Sequence, residues 1–263
     1  MDKGILYITA SDEYLYQEAV LSAKSVKEVM PELDIAVITD VANTPDVFDI
    51  TIKEESIQGT FSDKAYNMNR TPFEKTIFLD TDTYITENIS ELFELLSDND
   101  IFAAHTTHSH FPLPDVPESF PSYNTGVIGF DTNEKTHKLF QKWEKVFKAY
   151  NEEKNIEADQ VSFRNAVYKS NADLITIRPE YNCRTPSPGF IGGEVKIIHG
   201  RGGYDKFERV LNEHIDTPRV YFRNWRGFNV VTNGNPDPYG LIRSLEHRGV
   251  MGTIAKIKNK FLT

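Results

Sequence analysis

A single cysteine, Cys183, stands in a chain of 263 residues, so no intrachain disulfide can form and the composition suits a reducing compartment. Long apolar runs are also missing. No stretch approaches the roughly 18 apolar residues of a membrane-crossing helix. Gly4-Ile5-Leu6-Tyr7-Ile8 is too short an apolar run for a secretory segment and reads as a first strand. Together these absences point to a cytoplasmic protein. Positive charge is scarce: the formal net charge is −10, and because residues 241–263 carry +4, the preceding 240 residues carry −14. Such a body repels a phosphate backbone, which argues against general nucleic-acid binding. Internal repeats and low-complexity linkers are absent. A hydrophobic fraction of 39% and a charged fraction of 26% are ordinary for a globular protein that buries a sizeable core.

What is present is an alternation of strand and helix signals. Ile5 to Thr9 reads as a buried strand, and Ser11 is placed to cap the helix that follows. Leu15, Ala19, Ala23, Val26 and Met30 recur at helical spacing until Pro31 stops the pattern. Strands are expected over 34–39, 47–52 and 76–79, helices over 62–69 and 89–96, and another strand over 101–104. This β-α-β opening implies a mainly parallel sheet covered by helices, an α/β class. The segment 105–122, rich in His, Pro and Ser, reads as a long loop of the kind that forms lids or binding segments. Beyond it, strands are expected over 125–130, 174–178, 195–199 and 220–225, with helices opening near Asn133, Ala158 and Asp205.

The most informative run is Thr76-Ile77-Phe78-Leu79-Asp80-Thr81-Asp82. A β-prone stretch ends in two carboxylates at i and i+2, and α/β sheets hold ligands beyond the carboxyl ends of their strands. Paired carboxylates there suit Mg or Mn, which commonly bridges protein to phosphate. A second strand, Val195 to Ile198, ends in His199-Gly200-Arg201-Gly202-Gly203. His199 is a ligand that Mn accepts alongside carboxylates, the glycines permit close backbone approach, and Arg201 can pair with phosphate oxygens. His105, His108 and His110 compete for the third ligand position, although their spacing matches no familiar metal pattern. Asn124 and Gly126 fall just before a strand, where Asn can serve sugar hydroxyls or simply make a turn. Asp159-Gln160 opens a helix, where Asp159 is either a helix-start acid favoured by the dipole or, with Gln160, an acid-amide pair facing a reacting carbon.

Taken in order, these segments resemble the nucleotide-sugar glycosyltransferases of the GT-A fold, and most closely the family 8 group, which includes glycogenin and bacterial galactosyltransferases. The resemblance covers roughly residues 4–203 and is most specific in Pro72-Phe73-Glu74-Lys75-Thr76-Ile77-Phe78-Leu79-Asp80-Thr81-Asp82-Thr83. It implies a Rossmann-like GT-A catalytic domain over 1–204, with 205–263 as a C-terminal extension. It implies Asp80, Asp82 and His199 as ligands of Mn or Mg. It implies donor contacts from Thr9, Ala10, Asp12, Lys64, Thr81, Asn124, Gly126 and Arg201, and a catalytic role for Asp159 and Gln160. The donor it implies is a nucleotide sugar, UDP-linked by analogy, with transfer to a hydroxyl acceptor and retention of configuration. The chain departs from the family where Gly200-Arg201-Gly202-Gly203 replaces the usual Gly and Lys-Pro-Trp phrase, so the diphosphate contact passes to Arg201.

Two rival readings remain open from sequence. A haloacid-dehalogenase-type phosphatase begins its nucleophile motif as Asp80-Thr81-Asp82 does, but needs Thr or Val where Tyr84 stands. A nucleotide-sugar-binding protein without catalysis would keep the same residues. A pyrophosphorylase would carry a Gly-rich, Arg-containing loop where Ala10-Ser11-Asp12-Glu13 stands. In the tail, Val250, Ile254, Ile257 and Phe261 recur at helical steps among Lys256, Lys258 and Lys260. That pattern fits a basic amphipathic helix, either docked on the protein's own core or lying on an anionic membrane near a glycan, lipid-linked or protein acceptor.

Overall fold

The computed structural model of the protein describes residues 1–106, 112–113, 115–154, 156–225 and 227–232. In chain order its elements are β1 (Lys3–Ile8), α1 (Glu13–Val29), β2 (Ile35–Thr39), β3 (Ile50–Lys53), α2 (Phe61–Asn67), β4 (Lys75–Leu79), β5 (Thr83–Ile85), α3 (Leu92–Leu95), β6 (Ile101–His105) and β7 (Tyr123–Asp131). There follow α4 (Glu134–Lys154), α5 (Asp159–Tyr168), β8 (Leu174–Ile177), β9 (Cys183–Arg184), β10 (Gly189–Ile191), β11 (Ile197–His199), α6 (Tyr204–Asn212), β12 (Arg219–Asn224) and β13 (Gly227–Thr232).

Seven strands form the central sheet in the order β3-β2-β1-β4-β7-β6-β8. β1 lies parallel between β2 and β4, with Ile5 opposite both Ile35 and Ile77. β7 is the antiparallel exception, running against β4 and β6. Both faces of the sheet are covered. Ile5 and Tyr7 point to a layer that contains Ala19, Ala23 and Val26 of α1. Leu6 and Ile8 point to the opposite layer, with Ala65 of α2, Leu139 and Trp143 of α4 and Phe163 of α5. Burial on two faces is why these strands read as continuous apolar runs rather than as alternating ones. The architecture is the mixed, mainly parallel α/β sheet flanked by helices that the sequence implies.

Local details differ from expectation where tertiary partners compete. Asp12, not Ser11, caps α1, because its side chain accepts from the backbone N–H of Tyr14 and Leu15. Ser11 is instead captured at the end of β2, where its N–H and hydroxyl both bond to the Asp40 carboxylate at 2.6 Å. The helix expected over 89–96 shortens to α3. Asn124 and Gly126 lie inside β7 rather than ahead of it, because β7 starts at Tyr123 to pair with His105.

The strands after β8 build two three-stranded sheets, β10-β12-β13 and, with the earlier β5 at its edge, β5-β11-β9. They share a small core in which Cys183, Ile191 and Ile198 meet Phe207, Leu211 and Tyr221, so residues after 204 pack against strands that precede them. Burial pushes the Cys183 thiol up to about 12, which leaves it a protonated core residue. Within the loop expected at 105–122, Leu113 and Val116 pack with Val161 of α5. His108 and His110, and the amphipathic tail of residues 241–263, lie outside the described residues. Among those described, no helix is long and apolar enough to cross a membrane.

Trp143 links this fold to the site. Its ring is fully buried, and its indole N–H donates to the carbonyl of Asp159 at 3.1 Å and to the Ser162 hydroxyl at 3.0 Å. The Trp143→Ala variant is expected to lose about 3–5 kcal/mol of stability through the cavity it leaves. The measurement is a urea unfolding midpoint, and a shift smaller than that expected from about 1 kcal/mol would show that α4 does not anchor α5.

Candidate active site

β4 delivers Asp80 to the carboxyl edge of the sheet, and the turn into β5 brings back Asp82. Backbone bonds set the turn: the Asp80 N–H donates to the Gly126 carbonyl at 2.8 Å, and the Gly200 N–H donates to the Asp82 carbonyl at 2.8 Å. A buried hydroxyl chain supports it from below. Tyr7 meets Ser22 at 2.8 Å, Ser22 meets Thr83 at 2.8 Å, and the Thr83 hydroxyl donates to the Asp80 carbonyl at 2.8 Å. β11 pairs antiparallel with β5, which sets His199 opposite Thr83. The result is a cluster of Asp80, Asp82 and His199 with one ligand atom from each, all within 4.8 Å of one another. His199 Nε2 stands 3.4 Å from Asp82 Oδ1 and 3.8 Å from Asp80 Oδ2.

Hydrogen-bond polarity fixes which way the imidazole presents itself. The Gly126 N–H can only donate, and it donates to Asn124 Oδ1 at 3.0 Å. Asn124 Oδ1 also accepts from Asn182 Nδ2 at 2.8 Å, which turns Asn182 Oδ1 toward His199 Nδ1 at 2.7 Å. His199 Nδ1 therefore carries the proton. In the neutral ring, the Nε2 lone pair faces two carboxylates, an arrangement of acceptors that calls for a cation among them. Gly126 keeps the place clear: a Cβ there would meet His199 Cε1 at 2.1 Å and Asp80 Oδ2 at 2.9 Å. The donor set thus fits a divalent metal, and imidazole beside carboxylate suits Mn.

Lys64 of α2 lies next to this cluster. Its buried ammonium contacts Asp80 Oδ1 at 2.8 Å, Asp159 Oδ2 at 2.9 Å and the Thr125 carbonyl at 3.1 Å. Burial opposes its charge, but the carboxylates of Asp159 and Asp80 outweigh burial and raise its pKa. Burial raises the pKa of Asp80, against the pull of Lys64 and His199. For Asp82, burial is outweighed by the His199 contact and by the positive charge of Arg201 and Lys64, and its pKa falls to about 2. Three carboxylates against one lysine leave a formal charge of −2, which matches a divalent cation.

Asp159 opens α5 with both carboxylate oxygens engaged. Oδ1 accepts from the Gln160 N–H at 2.9 Å, and Oδ2 accepts from Lys64 and from the Thr125 hydroxyl. Arg201 lies on the α1 side, where its Nε donates to Glu18 Oε1 at 2.8 Å and its guanidinium stacks over Tyr14. A cavity of about 800 Å³ opens over these groups. Thr9, Ala10, Lys64, Asp80, Thr81 and Asp82 line one part of it, and Asn124, Asp159, Gln160, His199 and Arg201 line another. Two residues singled out by sequence fall outside the lining: Asp12 is spent on capping α1, and Gly126 acts from behind His199. His105 sits at the end of β6 against the Tyr123 ring, apart from the cluster.

Several contributors escaped the sequence reading. Asn182 orients His199, Glu18 holds Arg201, and Thr125 braces Asp159. Asp63 accepts from the backbone N–H groups of Gln58, Gly59 and Thr60, which fixes the cavity wall beside Lys64. Asn182, Glu18 and Thr125 lie in no local pattern that marks them, because each acts on a segment distant in sequence, whereas Asp63 sits three residues after Thr60 in a capping box that the sequence did carry. The left-handed glycines Gly200, Gly202 and Gly203 were visible as glycines, and their φ values of 130°, 72° and 71° supply the physical need for them.

Sheet order, cavity placement and the acid-acid-histidine cluster define a GT-A type of protein. Residues 64–199, more than half of the chain, match the family described as Glycosyl transferase family 8. The chain belongs to that family. Among solved structures it is similar to the galactosyltransferase LgtC in complex with donor and acceptor sugar analogs, at a TM-score of 0.54 and 15% identity, over 77% of this chain and 87% of that one. It is also similar to the glycosyltransferase GlyE of Streptococcus pneumoniae TIGR4, at a TM-score of 0.51 and 18% identity, over 70% of this chain. The chain spans about half of GlyE, 47% of its length. At these identities the likeness is one of fold. No curated protein sequence matches the chain.

The Asn182→Ala variant is expected to weaken Mn binding by about 10- to 100-fold, the range seen when a partner that orients a metal-bound histidine is removed. Electron paramagnetic resonance of free Mn reads this without any activity assay. Unchanged affinity would mean that the Asn182 contact does not orient His199.

Proposed function

We propose that the cavity binds a nucleoside-diphosphate sugar, UDP-linked by family analogy, and transfers its sugar to a hydroxyl acceptor with Mn or Mg as cofactor. The carrying observation is the arrangement of Asp80, Asp82 and His199, whose acceptor atoms converge on one point inside the cavity. A bound divalent ion supplies Lewis-acid stabilisation of the charge that grows on the departing diphosphate. The chain's own residues do the rest. Lys64 holds Asp80 and Asp159 in fixed positions before substrate arrives, so little reorganisation is needed. Arg201 lies at the cavity edge as a second cation for the diphosphate. Asn124 and Gln160 line the region where the sugar would rest.

The state of Asp159 supports retention of configuration. An inverting transfer needs a free base to activate the acceptor hydroxyl. Asp159 is the acid best placed for that role, and Lys64, Thr125 and the Gln160 N–H already occupy its oxygens. A carboxylate so held orients its neighbours. The acceptor hydroxyl then loses its proton to the leaving phosphate on the same face.

A panel of nucleotide sugars assayed for free nucleotide release in Mn tests this reading. The unaltered chain is expected to release UDP, Asp82→Ala to fall by about 100-fold or more, and EDTA to remove turnover. Full turnover in EDTA would defeat the metal assignment, and tight UDP-sugar binding with no release would favour a binding protein without catalysis. Asp159→Asn is expected to lower turnover more than it weakens UDP binding, since UDP lacks the sugar.

Peripheral membrane contact through residues 241–263 belongs to the same proposal. Basic residues near an anionic surface contribute about 1 kcal/mol each, enough together for weak, salt-sensitive attachment. Co-sedimentation with anionic liposomes at low and high salt, with and without residues 249–263, checks it. Equal sedimentation of the two forms would remove the tail from the account.

A further inference from the structure

The cations that line the cavity differ in how fully they are paired. Lys64 touches two carboxylates, and Arg201 is held by Glu18. Arg184 also lines the cavity, and among the described residues it makes no ion pair. Its NH1 group meets the neutral hydroxyl of Ser187 at 3.2 Å, and its buried Nε–H has no partner among the described residues. A buried guanidinium N–H without an acceptor is costly, and its persistence calls for a reason. Arg219 offers the contrast: its Nε is also unpaired, but its other nitrogens donate to the carbonyls of His214, Thr217 and Gly193, so it is a structural brace.

Strand register shows where Arg184 points. β9 runs parallel to β11 with Ile198 opposite Cys183 and His199 opposite Arg184. Ile198 and Cys183 face the small apolar core. Successive side chains of a strand alternate between faces, so Arg184 shares the cavity face with His199, one strand farther from Asp82. Arg201 flanks the cluster on the α1 side, and Arg184 flanks it on the β9 side.

We propose that Arg184 is an anion-recognition residue of the substrate site, which takes a phosphate or carboxylate group through the planar donor fork of its guanidinium. The proposal rests on the nucleotide-sugar reading for its location. The anion has two possible sources: the diphosphate of the donor, or an acidic group on a sugar bound beside it.

The test uses the full chain loaded with Mn, in the unaltered form and as Arg184→Gln and Arg184→Lys, with binding followed by calorimetry. The probes are UDP against uridine, inorganic pyrophosphate, and glucuronate against glucose with UDP already bound. Arg184→Gln is expected to weaken at least one anionic probe by about 10-fold or more, with uridine and glucose unchanged and Arg184→Lys intermediate. A fall for UDP and pyrophosphate supports the proposal with the diphosphate as source, and a fall for glucuronate alone supports it with an acidic sugar as source. Unchanged affinity for all three anions overturns it, and so does equal loss for the uncharged probes, which would mark a merely structural arginine. If the unaltered chain binds no UDP, the nucleotide-sugar reading fails, and Arg184 is then judged on pyrophosphate and glucuronate, where the same two outcomes decide.

Discussion

The ammonium of Lys64 is the interaction on which the site depends. Without it, the half-buried carboxylate of Asp80 at the end of β4 and the buried carboxylate of Asp159 on α5 would have no cation to hold them together. With it, α2, β4, β7 and α5 meet at one point, since the Lys64 amine also reaches the Thr125 carbonyl. Such a buried network is weak evidence of stabilisation, because the cost of removing charges from water roughly offsets their attraction, and apolar replacements often do as well. Its value lies in position. Charges locked in place by several partners keep their geometry when a substrate's charge changes, and that is what electrostatic preorganisation requires.

A second constraint works by direction rather than charge. From the Gly126 N–H, each hydrogen bond determines the next: Asn124 must present its oxygen, Asn182 its nitrogen to Asn124 and its oxygen to His199, and His199 a protonated Nδ1. One backbone N–H in β7 thereby decides which imidazole nitrogen faces Asp80 and Asp82. The same glycine is barred from carrying a side chain by the His199 ring. Space and polarity at Gly126 thus serve one end, and neither requires the glycine to touch a ligand.

The sequence made the central sheet legible because its strands are buried on two faces and separated by helices with clear apolar spacing. Asp80, Asp82 and His199 were legible because they stand at or just past the end of an apolar run, and strand ends are where such folds place ligands. β5, β9 and β10 were not, since two or three residues are too few to show any period. Asn182 and Glu18 stayed hidden for a different reason. An Asn after a Tyr, or a Glu on a helix, is ordinary until the fold brings it against His199 or Arg201. Ser11 and Asp12 show the limit of capping rules: both residue types suit the cap, and only the Asp40 carboxylate at the end of β2 decides between them.

The three cations of the cavity form a graded series that the fold itself explains. Lys64 is the most enclosed, and an isolated charge there would be untenable, so it is saturated by acids. Arg201 is half exposed, can rely partly on water, and needs only Glu18. Arg184 breaks the trend, because part of its guanidinium is as buried as a core atom and yet no acid among the described residues meets it. β9 is a two-residue strand at the edge of its sheet, so Arg184 is held in place mainly by its register with His199. A charge fixed by its register with the strand that carries His199, and met among the described side chains only by the Ser187 hydroxyl, shares the rigidity of the Asp80, Asp82 and His199 cluster.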